Sequence, residues 1–260
     1  MKILIIIDET SFYHPKFTDD LINSLKRKKY DVYGAIVTKI EKKNNIERYL
    51  ISKFYKLYFS EILALSSKKI LFKILNFLFP SGLKNDFFSV KSAFKKNKIS
   101  FFNIKENINQ KKYFEKIKNI KPDIIISSNS LIFNRDILDI PRLGCINRHT
   151  SLLPSYGGLW PVIQAIANNE KKTGVSIHKM TSKIDVGDIY AQREIDISNN
   201  KNVSSIYKAA FSISGNLIIE AIENLINNKT LPISPRLKSY YSFPTKIDWI
   251  NFRKNGGRFV

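Results

Sequence analysis

Two stretches of this chain are apolar without alternation: Ile3-Leu4-Ile5-Ile6-Ile7 near the start, and Ile124-Ile125-Ile126 after Pro122-Asp123. Successive side chains of a strand point to opposite faces, so a strand with one wet face alternates apolar and polar residues. A strand without alternation has both faces covered, as in a parallel sheet flanked by helices. The rest of the first half fits that pattern. Lys2 to Asp8 reads as the first strand, and Asp19 to Lys29 as an amphipathic helix with Leu21, Ile22 and Leu25 on one side. Strands follow at Asp31 to Thr38, Lys98 to Ile104, Pro122 to Ser128 and Arg142 to Asn147, with a helix at Tyr113 to Lys118. The alternation predicts an α/β fold, a Rossmann-like, mostly parallel sheet with helices on both faces. Ligands of such sheets gather at the carboxyl ends of the strands, where Asn129, Asn147 and His149 fall.

Residues 39–88 interrupt the alternation. Arg48 to Tyr55 and Lys69 to Phe79 are apolar, basic and helical in pattern. Helices packed on the sheet or at a dimer contact are one reading. A membrane-surface helix, apolar on one side and lysine-rich on the other, is the second. Further on, Ile195 to Ile197 reads as a strand end, and Ser204 to Asn227 as a helix capped by Ser204 or Ser205. The expected organisation is a main α/β domain over residues 1–200, with the basic insertion at 39–88. A C-terminal helix and an aromatic, basic tail over residues 201–260 pack on its core. No uninterrupted apolar stretch reaches membrane-spanning length.

A hydrophobic content of 43% suits a folded domain of this length. The lone cysteine, Cys145, excludes an intrachain disulfide and fits a reducing, cytoplasmic setting. It reads as buried packing rather than as a nucleophile. The net charge of +21 is compatible with nucleic acid, an anionic membrane or an anionic small substrate. The lysines are scattered among Asn and Ile, with no basic arm or RNA-binding aromatic motif, so a generic basic surface is favoured over nucleic acid.

Three polar elements carry chemistry. Asn147 and His149 stand two apart and lead into Ser151-Leu152-Leu153-Pro154-Ser155-Tyr156. Thr173-Gly174-Val175 precedes His178, and Asp185-Val186-Gly187-Asp188 follows. Taken singly, Asn147 reads as a strand-end turn residue, His149 as a structural histidine and Asp185 as part of a turn. Together, in this order, they resemble the folate-dependent formyltransferases, which move a formyl group from 10-formyltetrahydrofolate to an amine. The resemblance is strongest from about Lys121 to Ile197.

The resemblance implies a catalytic trio. Asn147 would polarise the formyl carbonyl, and His149, as an imidazolium, would stabilise the oxyanion. Asp185 would raise the His149 pKa and accept a proton from the attacking nitrogen. The i, i+2 spacing sets Asn147 and His149 on one face of an extended segment. The pterin is expected against two loops, Asn129-Ser130-Leu131-Ile132-Phe133 and Ser182-Lys183-Ile184. Thr10, Tyr13, Pro154, Tyr156, Gly158 and Trp160 are the candidate acceptor-binding residues. No metal is implied.

The acceptor is less constrained. Methionyl-tRNA formyltransferases resemble this core but add a C-terminal domain, and about sixty residues after the catalytic region are few for one. Their loop also carries Arg after the Tyr, where this chain has Gly157. Glycinamide ribonucleotide formyltransferases cradle a phosphate on a glycine-rich loop after the first strand. Asp8-Glu9-Thr10-Ser11 is acidic there and has no glycine. Sugar N-formyltransferases, acting on nucleotide-linked deoxyamino sugars, fit best. Another small amine, a homodimer, a peripheral membrane contact and a non-catalytic basic module bound to membrane or RNA stay open.

Overall fold

A computed structural model describes residues 1–9, 12–38, 57–84, 86–232 and 234–260. The chain forms two compact units, Met1–Cys145 and Ile146–Val260. The division falls inside the strand that carries Asn147 and His149. The expected helix at Arg48 to Tyr55 and the candidate Thr10 lie outside the described residues.

The first unit is the parallel part of a Rossmann-like α/β architecture. Strand β1 (Lys2–Asp8) pairs in parallel with β2 (Asp31–Val37) and with β4 (Ile124–Ser128), and β2 pairs in parallel with β3 (Phe101–Ile104). Ile3 to Ile7 and Ile124 to Ile126 are fully or almost fully buried, as their unbroken apolar runs require. Helix α1 (His14–Arg27) starts earlier than its apolar periodicity suggested. Pro15 in its first turn presets the helical φ where the missing N–H costs nothing. Helix α2 (Phe59–Leu78) includes most of the expected Lys69–Phe79 segment, and α3 (Val90–Lys96), α4 (Lys111–Ile120) and α5 (Arg135–Leu138) complete the unit's described helices.

The second unit is antiparallel: the expected strand at Arg142 to Asn147 and the expected strand end at Ile195 to Ile197 flank Lys172 to Lys179, a strand the sequence reading did not offer. Strand β5 (Gly144–His149) pairs with β7 (Lys172–Lys179), and β7 with β8 (Ile189–Asp196). Between them a two-residue strand, β6 (Gly157–Gly158), leads into helix α6 (Pro161–Ala167). Helix α7 (Val203–Ile226) is capped by Asn202, whose side chain accepts from the Ser205 N–H at 2.9 Å, so the cap sits ahead of both expected serines. By length and composition α7 could cross a membrane, yet its apolar side is core: Ile206, Leu217, Ile218, Ala221 and Ile222 are buried. Strand β9 (Tyr240–Tyr241) runs parallel to β6, and helix α8 (Lys246–Lys254) closes the unit. Trp249 and Phe252 of α8 pack with Val162, Ile166 and Ile206, and the Trp249 ring stacks on Phe259 with centroids 5.8 Å apart.

Candidate active site

The whole polar trio lies in the second unit. Asn147 and His149 project to the same side of β5, as alternate residues of a strand do. Across the ladder His178 pairs with Asn147 and Ser176 with His149. This register places the Asn147 Nδ2 3.3 Å from the His178 Nε2. His178 Nδ1 lies 2.9 Å from the Lys179 carbonyl oxygen, which can only accept. A neutral ring with its proton on Nδ1 leaves Nε2 to accept from the Asn147 amide, and a ring protonated at Nε2 as well donates to Asp185 Oδ1, 3.4 Å away. The Asn147 Oδ1 is buried, with no hydrogen-bond partner among the described residues.

Asp185 reaches the same cluster from the turn after β7. One carboxylate oxygen accepts from the Gly158 N–H at 2.8 Å and lies 3.6 Å from His149 Nδ1; the other lies 3.4 Å from His178 Nε2. The turn has strict backbone demands. Asp185 adopts φ +53°, and a Cβ at Gly187 would run into the Lys179 carbonyl, which explains the glycine two residues on. Gly158, at φ +91°, brings its N–H onto the carboxylate with its backbone pressed against the Tyr241 carbonyl.

Asp185 and His149 are 8% and 10% exposed, so their charges are scarcely screened by water. Burial pulls the Asp185 carboxyl upward. The His178 hydrogen bond, the His149 ring and the Gly158 N–H outweigh it and hold the pKa at about 2. His149 moves opposite to the expectation. Burial, the largest influence, takes its pKa below the usual imidazole value, and Asp185 and the Tyr156 carbonyl recover only part of the drop. The ring is also held differently from expected: His149 Nε2 donates to the Tyr156 carbonyl at 2.9 Å. In the neutral ring that bond occupies the proton and leaves the Nδ1 lone pair on the Asp185 side. A carboxyl with a pKa of about 2 is a poor proton store at neutral pH, and a neutral His149 is a proton acceptor rather than a standing cation.

The cluster includes a residue to which the sequence reading gave no role. His178 ends the Thr-Gly-Val motif, and only the β5–β7 register brings it onto Asn147. Arg148, between the two catalytic candidates, points elsewhere. Its Nε donates to Ser214 Oγ at 2.7 Å and its guanidinium lies 3.8 Å from the Phe211 ring centroid. The Cys145 thiol is buried and pushed up to about 12, first by burial and then by Asp139, consistent with packing.

The other candidates divide between the units. In the first unit Asn129 follows β4, donates to the Ile6 carbonyl at 2.9 Å and accepts from the Leu131 N–H at 2.8 Å. Ser130 and Ile132 are exposed on that loop, Leu131 is half-buried and Phe133 is buried. Tyr13 caps α1, with the Lys68 ammonium 5.2 Å from its ring centroid. In the second unit Ser182, Lys183 and Ile184 are exposed, and the Lys183 N–H is held by Thr181 Oγ1 at 3.2 Å. Pro154 is half-buried and follows a cis peptide bond. Tyr156 stacks on Tyr241, centroids 5.4 Å apart, and donates its hydroxyl to Glu170 at 2.7 Å. Trp160 packs against Trp249 and Phe259.

A family model described as formyl transferase matches residues 1–222. Methionyl-tRNA formyltransferase of Thermotoga maritima is 36% identical over 137 residues, covering 52% of this chain and 44% of that protein. The bifunctional polymyxin resistance protein ArnA of Wigglesworthia glossinidia brevipalpis is 39% identical over 170 residues, covering 63% of this chain and 26% of that protein. The chain spans about half the length of the curated relatives it matches, or less. A solved sugar N-formyltransferase from Shewanella sp FDAARGOS_354 shares the fold, with a TM-score of 0.60 at 16% identity over 98% of this chain and 87% of that one.

Proposed function

Because the chain belongs to the formyl transferase family, we propose that it transfers a formyl group from 10-formyltetrahydrofolate to a primary amine, the amino group of a nucleotide-linked deoxyamino sugar. One observation carries the reaction: Asn147, His149, His178 and Asp185 converge in one buried cluster. The donor set fits acyl transfer, and the Asn147 Oδ1, with no partner among the described residues, is an acceptor awaiting an N–H.

The folate would supply the formyl carbon. Asn147 keeps one amide N–H on His178 and offers the other to the formyl oxygen, where negative charge develops. Its Oδ1 accepts an N–H of the attacking amine. His149, anchored through Nε2 on the Tyr156 carbonyl, takes the amine proton at Nδ1 and returns it to the departing folate nitrogen. Asp185 stays ionised throughout and stabilises the transient imidazolium. What supports this division of labour is the opposed pull on the two groups, Asp185 down to about 2 and His149 below its ordinary value. The loop at Ser182 to Ile184, in the same unit as the cluster, would meet the pterin.

The sugar reading draws support from the Tyr156–Tyr241 stack beside the Gly158–Asp185 contact, an aromatic platform suited to a nucleotide base. The net charge of +21 favours a diphosphate. Initiator methionyl-tRNA is the second reading, favoured by the name of the 36% identical relative. Tetrahydrofolate release measured against nucleotide-linked amino sugars, small amines and charged initiator tRNA separates them. Turnover with an amino sugar alone supports the first reading, and turnover with the tRNA alone replaces it with the second.

A further inference from the structure

Among the described residues, helix α2 is held on the first unit by one side. Phe72 packs edge-on against Phe12 and Phe88, with centroids 5.2 and 5.7 Å apart, and Glu61 is buried. The opposite side is bare and apolar. Phe59, Leu63, Ile70, Ile74 and Phe77 recur at helical spacing along one stripe, and they are 80%, 60%, 58%, 50% and 84% exposed. Leu71 and Leu78 widen the stripe on one flank at 51% and 57% exposure. Single exposed apolar residues are ordinary, but seven on one side of one helix, interrupted at mid-length by Ser66 and Ser67, mark an interaction surface.

Charge decides what fits it. Lys69 and Lys73 line the other flank of the stripe and are exposed. Between residues 57 and 98 the chain carries eight lysines against two acids, one of which is the buried Glu61. A second copy of this chain would set lysines against lysines. An anionic lipid surface satisfies both halves of the pattern, because acyl chains take the apolar stripe and headgroups take the lysines.

We propose that α2 is an interfacial helix, lying in the plane of an anionic membrane with Phe59, Leu63, Ile70, Ile74 and Phe77 in the acyl boundary and Lys69 and Lys73 at the headgroups. The proposal is independent of the formyl-transfer assignment, since α2 carries none of the residues assigned to that reaction.

The test is co-sedimentation of the full chain with vesicles of phosphatidylcholine alone and with a third phosphatidylglycerol. The expected result is binding to the anionic vesicles only, weakened by salt. The partition coefficient should fall by about tenfold or more in Ile70→Ser/Phe77→Ser, since burying one large apolar side chain changes an equilibrium by roughly that factor. A several-fold fall is expected in Lys69→Gln/Lys73→Gln. Both pairs are exposed, and unchanged circular dichroism confirms that each variant folds. Absence of vesicle binding overturns the proposal. So does binding that Ile70→Ser/Phe77→Ser leaves intact, which would put the contact on another surface. A dimer in sedimentation velocity, abolished by the same pair without any vesicle binding, assigns the stripe to a second copy and also overturns it.

Discussion

Asn147 and His178 face each other across the β5–β7 ladder, with Nδ2 3.3 Å from Nε2, and the Lys179 carbonyl fixes the direction of the contact. His178 thus orients the amide of Asn147. Removing it in His178→Ala frees that amide to rotate, and a small misplacement of a reacting group costs on the order of a hundredfold in rate. We expect kcat to fall by that order with little change in the KM for the folate. His178→Gln, which can still present an acceptor oxygen to Asn147, should recover part of the loss. Equal losses in both variants, or a change in KM alone, would argue against a positioning role.

Asp185 links the site to acid stability. Its folded pKa of about 2 lies below the ordinary value of 3.8, so the ionised form is the one the fold stabilises. That stabilisation is present above about pH 4 and is lost as pH falls through about 2. It amounts to on the order of 2 kcal/mol for a shift of this size. His149 acts in the same direction in a higher window. Its folded pKa is depressed, so below the ordinary value of 6.5 the unfolded chain takes up the proton more readily. Urea unfolding of the wild type between pH 2 and 7 should show stability falling towards acid. Asp185→Asn should flatten the part below about pH 4.

The same depressed His149 pKa sets the sign of a rate limb. If neutral His149 takes the proton, kcat with saturating amine rises as pH climbs through the His149 pKa, below 6.5. A rate that falls as pH rises through that window would restore the charged imidazolium as the working form.

Gly187 has no room for a side chain. A Cβ there meets the Lys179 carbonyl, so Gly187→Ala must displace the turn that carries Asp185. We expect a loss of about 1–3 kcal/mol in denaturant unfolding, the usual cost of forcing atoms into a packed site. Turnover should fall more steeply than stability. An unchanged Tm and an unchanged rate would show that the turn can give way.

The first unit was legible because β1 and β4 are written as unbroken apolar runs, and a buried parallel strand has few other ways to look. The trio was legible as a pattern of residue types in order. The antiparallel ladder was not. Lys172 to Lys179 carries Thr, Gly, Ser and His among its buried positions, and their partners are supplied by β5, β8 and the Leu152–Leu153 loop. That missing register hid His178. The protonation states were also out of reach. A carboxylate near an imidazole raises its pKa only until burial outweighs it, and burial cannot be read from residue spacing. The Ser204 or Ser205 cap failed for a simpler reason. Asn202 caps as well as Ser does and stands in the right place.

The most direct measurement is tetrahydrofolate release from 10-formyltetrahydrofolate in the presence of the amine panel, by the wild type and by His149→Ala side by side. The account predicts turnover with an amine acceptor, reduced by roughly a hundredfold or more in the variant, as loss of an acid–base group does. Turnover that His149→Ala leaves near normal would contradict it.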